Sequence, residues 1–343
     1  MSFLFAHRRY ALPFRVPVRT AHGPWAVREG LIVRVTDATG AVGYGEIAPV
    51  PRFGTETVDE AAAVLQALGG QIGETQIAAL PVQSSSARHG LCVALADCRA
   101  GSPNPAVSGA GSKSSRAVAA LLPAGREALG AAAAKAELGF RVFKWKVGVG
   151  DNDEELGLLD ELLARLPGGA RLRLDANGAW DRRRAERWLE RCAERPIEFV
   201  EQPIAPAARG ADDLLRGLAA DFPTPLALDE SLVHDGDVER WLAAGWPGLF
   251  VVKPALLGDP AAVCAQLAQA KAKVVFSSAL ETAVGAQTAL RLAFAWPGEQ
   301  RALGFGVYPL FADARFDGPP AAPFMSVEDV AHLNLEAVWN ALS

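Results

Sequence analysis

ARLRLDANGAWDRRRAERWLERCAERPIEFVEQP, residues 170–203, contains one complete strand–helix–strand unit, and this unit decides the fold. Two short apolar runs, residues 170–176 and 197–203, flank a charged stretch with a helical pattern. The first run ends at Asp175 and the second reaches Glu201. Since strand–helix–strand units build parallel sheets, this part of the chain is predicted to form an α/β structure.

The same alternation continues on both sides of the unit. The candidate strands are residues 116–123, 140–148, 170–176, 197–203, 224–230, 249–254, 273–279 and 301–308. Helical stretches separate them, and eight such strands are the number that a (β/α)₈ barrel requires. A doubly wound open sheet is the main alternative.

The first 100 residues follow a different order, in which β-rich segments come before two helical ones. This order predicts an α+β domain over residues 1–100 and a barrel over residues 101–310. Residues 102–113 are rich in Ser, Gly, Pro and Ala, as is typical of a linker. The tail, residues 311–343, lies beyond the eighth strand and is predicted to return to the first domain and complete it.

Composition limits the possible partners. Half of the 343 residues are hydrophobic, 21% are charged and the net charge is -5, which indicates a globular protein without an affinity for nucleic acid or an anionic membrane. A small molecule is therefore the expected partner. The start MSFLFAHRRY lacks the order of a signal peptide and indicates a cytoplasmic protein. The four cysteines form no CxxC pair, so buried thiols are expected, and the sequence makes no prediction of oligomeric state.

Charged residues end five successive candidate strands, at the end of the barrel where active sites lie. They are Lys144 and Lys146, Asp175, Glu201, Asp229 with Glu230, and Lys253. A single acid at a strand end is usually a helix cap or a solvated side chain, but five strands in register indicate a site. Three converging carboxylates offer only oxygen ligands, which favours Mg²⁺ or Mn²⁺ over zinc. Of Asp229 and Glu230, only one can face the ion, because neighbouring strand residues point in opposite directions.

The lysines suggest a reaction. Lys144 and Lys146 are two residues apart on a strand and share a side, while Trp145 points away. A neighbouring ammonium and a divalent cation disfavour the charged form of Lys146, which would make it usable as a base. Lys253 approaches from the opposite side of the barrel. Such a site could remove a proton next to a carboxylate while the cation stabilises the developing charge. The histidines are dispersed and receive no catalytic role; His234 lies nearest to the acidic strand ends.

These motifs resemble the enolase superfamily, in its muconate-lactonizing branch, over nearly the whole chain. GYGEIAP (43–49) is similar to the motif of its capping domain, KWK (144–146) to its base motif, and LDANGAW (174–180), VEQP (200–203) and LALDES (226–231) to its ligand strands. The resemblance implies a barrel with an N-terminal α+β capping domain. It also implies Lys146 as base, Lys144 as the residue that tunes it, and Lys253 as a second lysine. Asp175, Glu201 and Asp229, rather than Glu230, would bind Mg²⁺.

Within the superfamily, the chain most resembles the o-succinylbenzoate synthases. The segments that carry this likeness are RLRLDANGAW (171–180), VVKPALLG (251–258) and FSSALETAVG (276–285). The likeness implies a syn dehydration of 2-succinyl-6-hydroxy-2,4-cyclohexadiene-1-carboxylate to 2-succinylbenzoate, a step of menaquinone biosynthesis. Lys146 would take the proton and return it to the departing hydroxyl, while Lys253 would stay protonated.

Several side chains are candidates for supporting roles. Ser277 and Ser278 could donate hydrogen bonds to the substrate. The loops 19–25 and 49–55 could cover the mouth of the site, where Arg52 or Phe53 could contact the substrate. Asn177 and Arg173 are expected to support the metal ligands.

Three rival functions remain open at this stage. An N-acylamino acid racemase or dipeptide epimerase of the same superfamily would use Lys146 and Lys253 as bases on opposite faces. A phosphoryl-transfer enzyme could use the three acids for metal, although the VGVG after Lys146 is too short for a phosphate loop. A barrel kept as a binding scaffold is disfavoured because every expected charged position is filled.

Overall fold

A computed structural model describes residues 3–20, 23–101 and 115–342 of the chain. The predicted linker, residues 102–113, and residues 21–22 of the predicted mouth loop lie outside the described residues.

An antiparallel four-stranded sheet begins the chain, with the strand order β3-β2-β1-β4. Its strands are β1 Phe3–Thr20, β2 Gly23–Thr36, β3 Val42–Ile47 and β4 Gln71–Ile72, and the helices that accompany it are α1 Val58–Ala67, α2 Glu74–Ala78 and α3 Ser85–Ala100. Helix α3 lies directly on β3, where a Cβ atom on Gly43 or Gly45 would come within 2.1 or 2.0 Å of α3 backbone atoms. The glycines of GYGEIAP therefore allow the close approach of helix to sheet.

The second part of the chain forms a seven-stranded parallel sheet in sequential order, preceded by β5 Ser115–Ala117. Its strands are β6 Ala120–Leu122, β7 Val142–Lys146, β8 Arg171–Asp175, β9 Ile197–Glu201, β10 Leu226–Leu228, β11 Leu249–Val252 and β12 Lys273–Phe276. The helices between and after them are α4 Glu127–Glu137, α5 Asn152–Arg165, α6 Arg182–Cys192, α7 Ala211–Asp221, α8 Asp235–Ala243, α9 Pro260–Gln269 and α10 Ala283–Ala295.

The predicted eighth strand, residues 301–308, does not form a regular strand, so the prediction was wrong on this point. Leu303 and Gly304 form single bridges to Val118 and Ser277, which lie at the two edges of the seven-stranded sheet. These bridges close the curled sheet into a barrel, so the barrel prediction is confirmed and the open-sheet alternative is excluded. A regular strand does not form, because the glycines of this segment weaken strand structure.

The chain ends in β13 Phe324–Ser326, α11 Val327–Ala331 and α12 Leu335–Ala341, of which β13 pairs with β5. Arg8 of the first sheet donates to the carbonyl of Trp339 at 2.6 Å, and Phe14 bridges to Phe311. These contacts support the assignment of the tail to the first domain, although the domain boundaries stay a prediction. Among the described helices, none combines the length and apolar character needed to cross a bilayer.

Glu46 on β3 fastens the first domain to the barrel. Its buried carboxylate accepts hydrogen bonds from the Tyr10 hydroxyl at 2.6 Å, from the Thr282 amide and hydroxyl at 3.0 and 2.6 Å, and from the Gly285 amide at 2.8 Å. The last three donors lie at the N-terminus of α10, where a helix favours a negative charge. The first domain is thereby held against the segment that follows β12.

Replacing Glu46 with alanine should lower the free energy of unfolding by about 3 kcal/mol or more, because several buried donors would lose their acceptor. Urea denaturation followed by circular dichroism measures this change. Glu29→Ala is the matched control, since the Glu29 side chain forms an exposed ion pair with Arg9 and its loss should cost about 0.5 kcal/mol. A decrease in the free energy of unfolding of less than about 1 kcal/mol for Glu46→Ala would contradict the role of Glu46 in holding the first domain against the barrel.

Candidate active site

Strand register brings the predicted residues to one rim of the barrel. Lys146 pairs with Asp175 across β7 and β8, and Asp175 pairs with Glu201 across β8 and β9. Asp229 and Lys253 directly follow β10 and β11. The five strand ends therefore place a base candidate, three acids and a second lysine around the same opening.

The three acidic side chains are buried and lie against lysine ammonium groups. Lys144 Nζ is 2.9 Å from Asp175 Oδ2 and 2.6 Å from Glu201 Oε1, and Lys253 Nζ is 2.6 Å from Asp229 Oδ1. In the part of the chain that the structure describes, no three His, Cys, Asp or Glu side chains form a ready-made metal site. Here the lysines supply the positive charge that these carboxylates require.

The electrostatic environment keeps both of these lysines charged. Burial alone would lower the pKa of Lys144, but the charges of Asp175, Glu201 and Asp229 outweigh it and raise that pKa. The pKa of Lys253 is also raised, because Asp229 outweighs the effect of burial. Burial raises the pKa of Glu201, whereas the two lysines hold the pKa of Asp229 below its usual value despite burial.

Lys146 ends β7 on the same side as Lys144, with its side chain half-buried at the rim. Between them, Trp145 is fully buried on the other side of the strand and meets Trp188 of α6 edge-on, with the ring centroids 6.2 Å apart. The alternation predicted for KWK is therefore present, and it places both lysines on the side of the strand opposite to Trp145.

Gln202 is a residue that the sequence reasoning missed. Its side chain is completely buried, and its Oε1 accepts hydrogen bonds from the amides of Asp229 and Ser231 at 2.9 and 3.2 Å. Its Nε2 donates to the Ile204 carbonyl at 2.9 Å and to the Ser231 hydroxyl at 2.8 Å. All four hydrogen-bonding positions of the amide are used, and they tie the end of β9 to the end of β10. The signal in the sequence was a polar residue between Glu201 and a proline.

The two predicted supporting residues differ in their contacts. Asn177 donates its backbone amide to Asp175 Oδ1 at 3.1 Å and its side-chain amide to Glu230 Oε1 at 3.0 Å, so it connects two strand ends. Arg173 instead lies two residues before Asp175 on β8. Its guanidinium forms an ion pair with Glu198 at 2.7 Å and donates to the Ala302 carbonyl at 2.9 Å. Arg173 thus braces the barrel below the site, and it contacts Glu198 rather than a metal-ligand candidate.

The two serines predicted to contact the substrate already donate hydrogen bonds to other residues of the protein. Ser277 Oγ donates to the Gly304 carbonyl at 3.3 Å, and Ser278 Oγ donates to Glu281 Oε2 at 3.0 Å. A hydroxyl has one proton to donate, so neither serine can donate to a substrate while it keeps these partners. Arg52 lies exposed beside Phe53 in the short 3-10 turn Pro51–Phe53. His234 directly precedes α8 as its N-cap residue, and its Nδ1 lies 3.1 Å from Ser85 Oγ.

Glu281 makes the stability of the protein depend on pH. Burial, helped by the charge of Glu46, raises the pKa of this carboxyl to about 7, although hydrogen bonds from Ser278 and Ala279 act to lower it. A raised pKa in the folded state means that folding favours the protonated acid. The protein therefore loses stability as the pH rises from the pKa that Glu281 has in the unfolded chain through about 7.

We expect Glu281→Gln to raise the melting temperature at pH 8 and to change it little at pH 5, where Glu281 is protonated when folded. The gain in the free energy of unfolding at pH 8 should be ~2 kcal/mol, and scanning calorimetry at both pH values measures it. Glu299→Gln is a suitable control, because Glu299 makes an exposed ion pair with Arg301. An equal effect of Glu281→Gln at both pH values would refute this explanation.

Two family models match different parts of the chain. The model of the "Enolase C-terminal domain-like" family matches residues 128–326, and that of the "MenC, N-terminal domain" family matches residues 5–98. The o-succinylbenzoate synthase of Thermosynechococcus vestitus is 40% identical over 309 residues, which are 88% of this chain and 91% of that protein. The chain belongs to the o-succinylbenzoate synthase family. Another o-succinylbenzoate synthase, from Yersinia enterocolitica, is 31% identical over 83% of this chain and 84% of its own length.

Solved structures agree with this family and with the fold. The o-succinylbenzoate synthase of Thermosynechococcus elongatus, described as complexed with Mg in the active site, matches with a TM-score of 0.81 and 36% identity, over 99% of this chain and 100% of that one. The L-Ala-D/L-Glu epimerase of Bacillus subtilis matches with a TM-score of 0.79 over 94% and 95% of the two chains. Its identity of 22% shows a shared fold and nothing further, so the o-succinylbenzoate synthases are the relatives that bear on function.

Proposed function

We propose that this protein is a Mg²⁺-dependent dehydratase that converts 2-succinyl-6-hydroxy-2,4-cyclohexadiene-1-carboxylate to 2-succinylbenzoate, a carbon–oxygen lyase of menaquinone biosynthesis in the cytoplasm. The observation that carries the proposal is the placement of Lys146 and Lys253 on separate strand ends beside three buried carboxylates. Membership of the o-succinylbenzoate synthase family supports the choice of reaction and substrate.

The acidic side chains suit the expected ion by the chemistry of their donor atoms. Asp175, Glu201 and Asp229 come from three neighbouring strands, offer only oxygen atoms and carry more negative charge than a buried site can hold alone. These three residues would hold Mg²⁺, and Mn²⁺ could replace it because its ligand preference is similar. When bound, the ion stabilises the negative charge that develops on the substrate carboxylate.

The chain's own residues perform the proton transfers. Lys146 removes the proton from the ring carbon that bears the carboxylate, and the electron pair of that C–H bond forms the new ring double bond. The C–O bond to the hydroxyl breaks, and Lys146 returns the proton so that water leaves from the same face. Lys144 stays protonated between Asp175 and Glu201 and lies on the same side as Lys146.

Lys253 contributes a fixed positive charge on the other side of the site. It stays protonated because Asp229 lies 2.6 Å from its ammonium. A racemase of the same superfamily would need this lysine as a second base, and an ammonium cannot accept a proton. Membership of the o-succinylbenzoate synthase family favours the dehydratase over the N-acylamino acid racemase or dipeptide epimerase.

Two assays of the purified protein test this proposal. The cyclohexadiene substrate with Mg²⁺ should give 2-succinylbenzoate, followed by its ultraviolet absorption, and a chelator should stop the reaction until Mg²⁺ is restored. N-succinylamino acids and dipeptides in D₂O, followed by proton NMR, report exchange at the α-carbon. Exchange and racemization without dehydration would contradict the proposal and favour the rival function.

A further inference from the structure

Phe53 makes a contact with Lys253 that the reaction described above does not use. The Lys253 ammonium lies 4.7 Å from the centroid of the Phe53 ring, within the range of a cation–π interaction. Phe53 belongs to the first domain and Lys253 to the barrel, so the contact crosses between the two parts of the chain. The Lys253 side chain is only 10% exposed, and such contacts strengthen as the cation loses water.

The loop that carries Phe53 is built to hold its position. Arg28 donates to the carbonyls of Ala48 and Pro49 at 2.6 and 2.7 Å where the loop begins. The Thr55 hydroxyl accepts from the Val50 amide at 2.7 Å, which joins the two ends of the loop. The Phe53 amide donates to the Val50 carbonyl at 2.8 Å and closes the turn within it.

Phe53 also contacts the chain next to Lys253. Its ring packs against a small apolar cluster that includes Ala255 and Leu256, which follow Lys253 in the sequence. Asp229 binds the same ammonium at 2.6 Å. The Lys253 side chain is thus held by a carboxylate from the neighbouring strand end and by an aromatic ring from the first domain.

We propose that Phe53 is a positioning residue for Lys253: its ring orients the ammonium at the mouth of the barrel and so couples the seating of residues 49–55 to the reaction. This inference rests on the proposed function, in which Lys253 supplies a fixed charge. A lysine has several rotatable bonds, so a charge without the ring would sample other positions and stabilise the developing negative charge less well.

Substitutions at position 53 distinguish the effect of the aromatic face from the effect of side-chain size. Phe53→Leu keeps an apolar side chain beside Leu256 and should lower kcat by about tenfold with KM changed less than about threefold, as a contact of this kind allows. Phe53→Tyr and Phe53→Trp keep a π face and should restore kcat to within about threefold of the wild type. Equal losses for all three variants would overturn the proposal.

A fluorinated series gives a readout that packing alone would not change. Phenylalanine with one, two or three ring fluorines at position 53 keeps its shape while the negative potential of its face falls, so log kcat should fall stepwise. The same series at Phe3 is the matched control, because that ring receives the Arg99 guanidinium at 5.3 Å within the core of the first domain. No change in log kcat across the fluorinated variants of Phe53 would overturn the proposal.

The contact between Phe53 and Lys253 can also be detected by NMR without measuring turnover. The ring current of Phe53 should move the ε-methylene proton resonance of Lys253 upfield, with the assignment made from Lys253→Arg, and Phe53→Leu should abolish this shift. An unchanged resonance would refute the positioning role. If the wild type instead fails to dehydrate the substrate while the resonance behaves as expected, the proposed function fails and the contact stands.

Discussion

Replacing Lys146 with alanine should lower kcat for dehydration by about 10³-fold or more, the largest effect expected of any single lysine in this protein. In the proposed reaction, this amine both accepts the proton and returns it, so its loss removes two steps at once. Mg²⁺ binding should change little, because Lys146 lies beside the metal-ligand candidates rather than among them. Steady-state kinetics with saturating Mg²⁺, together with calorimetric titration of the ion, measure the two quantities.

Lys273→Ala is the matched control, since Lys273 begins β12 and so lies at the opposite end of a barrel strand from the site. This variant should keep kcat within about twofold and unfold at nearly the same temperature. Lys146→Ala should also keep its melting temperature, because its half-buried side chain is at the rim. Retained dehydration in Lys146→Ala with intact folding would show that another residue is the base.

The fold was predictable because its evidence is local. A short apolar run followed by a helical pattern marks each barrel strand, and the pattern recurs along the chain. The segment around Leu303 and Gly304 was assigned as a full strand on the same grounds, although it closes the barrel through single bridges. Its glycines were visible in the sequence, but whether they interrupt a strand depends on the approach of Val118 and Ser277 from distant positions.

The site was predictable in its residues and less so in its contacts. Strand periodicity places a side chain on one face, which located Lys144, Asp175 and Glu201. It does not give the partner of a side chain, so Arg173 was expected near the ligands although it binds Glu198. Gln202 and Phe53 were hard to recognise for the same reason, because an amide and a phenyl ring acquire their roles only from neighbours that are remote in sequence.

Replacing Glu201 with glutamine should raise the dissociation constant for Mg²⁺ by about 100-fold or more and reduce dehydration accordingly, because one of three charged ligands becomes neutral. Glu201 is the most deeply buried of the three acids, with 1% exposure, so the change in charge is little screened by solvent. Thermal unfolding offers a second measurement. At a concentration 100 times its dissociation constant, Mg²⁺ should stabilise the wild type by about 2.7 kcal/mol. The same concentration should stabilise the variant by only ~0.4 kcal/mol.

Glu230→Gln tests the choice of ligand on the neighbouring strand end. Glu230 accepts a hydrogen bond from Asn177, which a glutamine oxygen can also accept, and Asp229 rather than Glu230 is the residue that meets Lys253. We therefore expect this variant to bind Mg²⁺ within about threefold of the wild type and to keep its stabilisation by the ion. A loss of Mg²⁺ affinity as large as that of Glu201→Gln would indicate that Glu230, and not Asp229, is the third ligand. Because consecutive residues at a strand end face opposite ways, Asp229 would then point away from the ion and Lys253 would lie beside a carboxylate that does not bind it.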